Sequence, residues 1–218
     1  MKTRNAAHPV FFIITAVSFL FAFILGIPGE INMAREGIGT GSSVVRIVST
    51  LMLLMLSLSL LRKRMTVFTA VLLTIMTFIN ICWGIFDICW CGQNAMEYIA
   101  ESFFGVMAQI MLTVMAICSC KNEESSFLRL WFLPLVFIAL QFTCSFVLNF
   151  GNFFFLPDSI RYAIVYGDKT EAFYGIMQFL NLTLGSIAQF IGMFFLGFSM
   201  KENEPEEEEI PDILPYLI

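Results

Sequence analysis

The sequence predicts an all-α integral membrane protein: a six-transmembrane-helix bundle followed by a disordered, acidic C-terminal tail. Three observations predict it. Hydrophobic residues make up 58% of the chain and charged residues 13%, whereas an ordinary soluble domain carries ~45–50% and ~25%. Six apolar runs each approach the ~20 helical residues that cross a hydrocarbon layer. Lys and Arg gather in alternate connections between those runs, the pattern that marks cytoplasmic loops. So few charges would not cover a soluble protein of 218 residues, and the excess apolar surface needs lipid.

The runs lie at 9–27, 44–61, 66–90, 98–119, 128–150 and 173–199, within a membrane domain of residues 1–200. With no water to bond the backbone, each must be helical or else shielded by its neighbours. Continuous apolar stretches, rather than alternating ones, exclude a β-barrel. The first run follows Lys2 and Arg4, but it is longer than a signal-peptide core of ~7–15 residues and no small-x-small cleavage site follows it. It is therefore a retained helix, with Gly26-Ile27-Pro28-Gly29 as its stop and turn. Residues 28–43 are Gly-rich and expected to be irregular. The third and fourth runs are joined by Cys91-Gly92-Gln93-Asn94, short enough to make an antiparallel hairpin. Pro134 interrupts the fifth run and should kink it unless it falls in the first turn.

The connection 151–172 carries Phe153, Phe154, Phe155, Pro157, Arg161, Tyr162 and Tyr166. Aromatics of this kind sit at headgroup level, so the segment is expected on the membrane surface or capping the bundle. Residues 9–90 and 98–199 show no self-similarity of the sort that marks inverted repeats.

Orientation follows from the basic residues. With the N-terminus inside, cytoplasmic segments hold Lys2, Arg4, Arg62, Lys63, Arg64, Lys121, Arg129 and Lys201, and outer segments hold only Arg35, Arg161 and Lys169. Both termini are then cytoplasmic, in a multi-pass protein of the cell membrane.

Polar side chains within the runs fall on faces. At ~100° per residue, Gln178, Asn181, Gly185, Gln189, Gly192 and Ser199 lie within roughly 80° of arc. Thr74, Thr77, Asn80, Gly84, Asp87 and Cys91 share a face of the third run; Glu101, Gly105, Gln109 and Thr113 share one of the fourth. Gln141, Cys144, Ser145 and Asn149 do so on the fifth, and Arg46, Ser49, Thr50 and Ser57 on the second. The first run shows no such face and is expected at the periphery. Two explanations compete: small and polar residues that let helices pack and hydrogen-bond, or a polar interior that holds a solute. Gln and Asn carry more hydrogen-bonding groups than a dry interface easily satisfies.

Arg46, Asp87 and Glu101 lie near the outer ends of the second, third and fourth runs, with Glu97 one turn from Glu101. Charges near lipid turn inward and pair, or snorkel to the interface. One Arg among several carboxylates leaves net negative charge, which suits a cation or an amine. The candidate ligand-binding set is Arg46, Asp87, Glu101, Gln109, Gln141, Gln178, Asn181 and Gln189.

Catalytic signatures are absent: the chain has no G-x-S-x-G, H-E-x-x-H, P-loop or dinucleotide fingerprint. His8 is the only histidine and lies outside the runs. Cys82, Cys118 and Cys144 sit in apolar runs, and Cys89, Cys91 and Cys120 near their ends, without zinc-site spacing. No catalytic residue, cofactor or metal is expected. Nucleic-acid binding needs clustered positive charge, which the chain lacks.

The tail, 201–218, holds Glu206 to Glu209 and should be disordered and repelled by an anionic leaflet. It ends Ile210-Pro211-Asp212-Ile213-Leu214-Pro215-Tyr216-Leu217-Ile218. Such an apolar tip suits docking by Ile213, Leu214, Tyr216 and Leu217 on a cytosolic protein; interfacial sticking is the plainer alternative. Two functions follow from these features. The first is a small-solute (cation or amine) transporter or solute-binding membrane component. The second is a membrane-anchored adaptor or regulator that recruits a cytosolic partner through its tail.

Overall fold

A computed structural model describes residues 9–35, 40–63, 65–90, 96–121, 130–148, 155, 158–167 and 169–200, all helix or short turn with no strand. The helices are α1 (Pro9–Arg35), α2 (Thr40–Leu60), α3 (Val67–Trp90), α4 (Met96–Lys121), α5 (Phe132–Leu148) and the short α6 (Asp158–Tyr166). The last long segment is α7 (Lys169–Leu180), a π turn (Asn181–Gly185) and α8 (Ser186–Ser199) in one continuous stretch. The tail, including Ile213, Leu214, Tyr216 and Leu217, lies outside the described residues, as do His8 and the turn at Cys91–Asn94.

Within this set, Val10–Ile31, Val67–Ile85, Ile99–Cys120 and Lys169–Ser199 are long and apolar enough to cross a membrane. Ile47–Leu60 and Phe132–Leu148 are shorter apolar helices. Large apolar side chains recur on the outward faces at helical spacing, as in Val44, Val48, Leu51, Met55 and Leu58 of α2 and Phe68, Val71, Ile75 and Phe78 of α3. Water would not tolerate such a girdle; hydrocarbon does.

Neighbours in sequence are neighbours in space. α1 packs on α2, α2 on α3, α3 on α4, α4 on α5 and α5 on α8, and α8 closes the ring against α1. Side-chain contacts fix each pair as antiparallel: Ala16 meets Ser57 while Gly26 faces Thr50, and Thr77 meets Thr113 while Asn80 meets Gln109. On α8, Gly192 lies against Phe19 and Gly197 against Leu135. The bundle thus has an Arg62 end, with Pro9, Leu60 and Ser199, and a Glu30 end, with Arg35, Thr40 and Lys169.

The tightest apolar packing is toward the Arg62 end. Phe19, Leu56, Leu60, Leu112 and Leu196 are fully buried there. Between α2 and α3 the chain reverses in a tight turn. Lys63 adopts a left-handed conformation, φ 56, and its N–H donates to the Leu60 carbonyl at 2.9 Å. Ser59, Thr66 and Thr69 lace this turn through linked hydroxyls at 2.8–3.1 Å.

Three expectations need correction. Gly26-Ile27-Pro28-Gly29 does not stop the first helix, which runs through Pro28 to Arg35. A proline in water-exposed helix costs ~3 kcal/mol, but in an apolar setting ending the helix would expose more backbone, and neighbouring helices offset the loss. The irregular stretch expected at 28–43 is accordingly helical at 28–35 and 40–43. Nor is the first helix peripheral. Phe12, Thr15, Ala16, Phe19, Ala22, Gly26 and Glu30 form a buried face, and α1 wedges between α2 and α8.

The connection 151–172 also gains structure. Asp158 opens α6, where a carboxylate favours a helix N-terminus, and pairs with Arg161 at 3.6 Å. α6 folds back on α7, with Ile160 against Gly175, leaving Tyr162 and Tyr166 exposed. Lys169–Ser199 is 31 residues long, which at 1.5 Å per residue is ~46 Å against a hydrocarbon thickness of ~30 Å.

Candidate functional site

A partly open cavity of ≈ 240 Å³ lies toward the Glu30 end. Its wall is Ala22, Gly26 and Glu30 of α1, Ser49, Thr50 and Leu53 of α2, Ile79, Asn80 and Trp83 of α3, with Asn181 and Gln189 from the last segment. One ordered water needs ~10–15 Å³ by a comparable measure, so the space admits a small solute or a cluster of waters. The lining is polar for so apolar a helix bundle: one carboxylate, three carboxamides, two hydroxyl side chains and an indole contribute to it.

Each helix places its part of the wall by periodicity. Ala22, Gly26 and Glu30 recur every four residues, which keeps them on one stripe of α1. Glu30 is only 5% exposed, a position costly for a carboxylate unless charge or hydrogen bonds surround it. Gly26 leaves room where α1 approaches α2 and the π turn: a Cβ there would sit 3.4 Å from Thr50 Cγ2 and 3.5 Å from Asn181 Oδ1. The pairing of Ala16 with Ser57 and Gly26 with Thr50 sets a register that brings the backbone of residue 46 level with residue 30.

Asn80 is oriented from behind. Its Nδ2 donates to Gln109 Oε1 at 2.7 Å, tying α3 to α4. One turn further toward the Arg62 end, Thr77 and Thr113 share a hydrogen bond of 2.8 Å. The floor is apolar, with Phe19 fully buried against Gly192.

The π turn sets the fourth wall. The Ser186 N–H donates back five residues to the Asn181 carbonyl, and Thr183 Oγ1 bonds the Phe179 carbonyl at 2.9 Å, occupying an acceptor that the wider turn frees. An i→i+5 turn takes in one extra residue, so the helix before it is out of phase with the helix after it by ~100°. Asn181 and Gln189, ~80° apart on a regular helix, come within ~20° of each other.

Of the eight residues the sequence nominates, Asn181 and Gln189 line the cavity, and Gln109 stands directly behind it through Asn80. Gln141 and Glu101 occupy a separate seam between α4 and α5. Gln141 lies over Gly105, where a Cβ would come 2.7 Å from its Nε2, and Ser145 hydrogen-bonds the Glu101 carboxyl. Gln178 is exposed on α7. The helical positions of Arg46 and Asp87 are described, but their side chains lie outside the described residues, as does that of Glu97. Glu30, Trp83 and Gly26 were missing from the nominated set. The signal for Glu30 was its spacing of four from Gly26 and eight from Ala22, hidden once Pro28 was read as a stop. No family model matches the chain, and no curated protein or solved structure matches it either.

Proposed function

We propose that the chain is a multi-pass membrane protein of six spanning helices, both termini cytoplasmic, that binds a small cation or amine in the cavity at its Glu30 end. The bundle is then an outward-facing solute transporter or solute-binding component of the cell membrane. The observation that carries this reading is Glu30, buried in a cavity whose other described lining residues are uncharged.

The chemistry follows from that set. A carboxylate at low effective dielectric attracts a cation by several kcal/mol at contact, of order 4 at an effective dielectric of ~20. Trp83 offers an indole on the same wall, and aromatic faces favour ammonium groups. Carboxamides and hydroxyls replace the water that a small amine sheds on entry. The apolar floor at Phe19 separates the site from the Arg62 end, as an alternating-access protein needs in one of its states.

The test is thermal stability of the purified protein in detergent, titrated with potassium chloride, ammonium chloride, ethylamine hydrochloride and ethanolamine hydrochloride. At least one cation should raise Tm saturably in the wild type and not in Glu30→Gln, since ligand binding to the native state shifts unfolding by mass action. No saturable response to any of the four, or equal responses in Glu30→Gln, would overturn the reading.

A further inference from the structure

We propose that the π turn sets ligand specificity: it turns Asn181 into the cavity, where its carboxamide reads a hydroxyl group on the amine that Glu30 holds. The inference rests on the proposed amine site and names its substrate class, short aliphatic amino alcohols.

Phase is the first ground. In an unbroken α-helix, Asn181 would point ~80° away from Gln189, while Gln178 would lie within ~20° of Gln189. The π turn reverses this. Asn181 now joins Gln189 on the cavity wall, which Gln178 does not line. π turns are uncommon, and they recur where a side chain must be re-aimed at a functional site.

Space is the second. The Asn181 carboxamide occupies a slot made by two glycines, one on each side. A Cβ on Gly185 would fall 2.5 Å from Asn181 Oδ1, and one on Gly26 would fall 3.5 Å from it. Gly185 in particular permits the observed orientation, because any side chain there would push the carboxamide off the wall.

Distance is the third. Gly26, whose Cβ position lies 3.5 Å from Asn181 Oδ1, is one helical turn from Glu30 on the same stripe of α1, ~6 Å along the axis. An ammonium at Glu30 therefore holds a hydroxyl on a short aliphatic chain near Asn181. A carboxamide donates and accepts, so Asn181 can bond that hydroxyl as donor or as acceptor. A site built to bond a hydroxyl rejects the analogue lacking it, because its own polar groups are then left without the bond.

Isothermal titration with ethanolamine and ethylamine tests this in the full-length protein. The wild type should bind ethanolamine about tenfold more tightly than ethylamine, corresponding to about 1.4 kcal/mol. Gly185→Ala, Asn181→Leu and deletion of Leu182, which removes the extra residue of the π turn, should each bring the ratio near one. If the deletion does not fold, Asn181→Leu and Gly185→Ala still decide. Equal binding of the two amines by the wild type overturns this inference and leaves the amine site standing. A preserved tenfold ratio in Asn181→Leu also overturns it. Binding of neither amine overturns the amine site itself, and the inference with it.

Discussion

Asn80 donates from Nδ2 to Gln109 Oε1 at 2.7 Å, and this bond links a cavity wall to a helix that does not line the cavity. The bond fixes which way the Asn80 amide faces, so Gln109 acts on the site without touching it. In lipid-facing bundles such bonds contribute about 0.6–2 kcal/mol. Asn80→Ala and Gln109→Ala should each lower stability by about that much, and the double variant should lose less than the sum. Tm in detergent for the two singles and the double checks the coupling; additive losses would mean that the bond contributes nothing.

Glycines in this bundle separate into those that face a neighbour and those that do not, and substitution should reveal the difference. A Cβ on Gly192 would lie 2.6 Å from the Phe19 ring, which is 0% exposed and has nowhere to move. Gly192→Ala should cost about 1–3 kcal/mol by overpacking. Gly29, in the same helix as Phe19, has nothing within 4 Å of its Cβ position. Gly29→Ala should be neutral or stabilising by up to about 1 kcal/mol, because alanine is the better helix former. Comparison of the two melting temperatures tests the helix packing directly, with no assumption about function.

The boundary between what the sequence reveals and what it hides runs through particular residues. Helix identity was legible because apolar runs in lipid leave the backbone one choice. Asn181 and Gln189 were legible because polar residues in an apolar run stand out. Glu30 was hidden by Pro28, which stops helices in water but is carried within α1 here. Gln178 was grouped with Asn181 because a fixed 100° step cannot anticipate the phase slip between them and Gln189. The π turn itself has no strong sequence marker: Gly185 and Thr183 are compatible with it, yet neither demands it. Glu101 and Gln141 bear the same residue types as the cavity lining but meet across α4 and α5, which only the packing decides.

Membrane topology separates the six-span arrangement from any lower count. The basic triplet Arg62-Lys63-Arg64 falls between α2 and α3 in the sequence, and positive charge of this kind is retained on the cytoplasmic side. Reporter fusions after Arg64, after Glu124 and at the C-terminus should read cytoplasmic; fusions after Gly39 and Gly167 should read outside. The position most informative is Gly167, because α6 and the start of α7 precede a helix longer than the bilayer needs. If that long segment crosses once, Gly167 and Lys201 must lie on opposite sides. A cytoplasmic signal at both would mean that Lys169–Ser199 does not span, that the ring of helices is not arranged across the membrane as proposed, and that the Glu30 cavity does not face the outside.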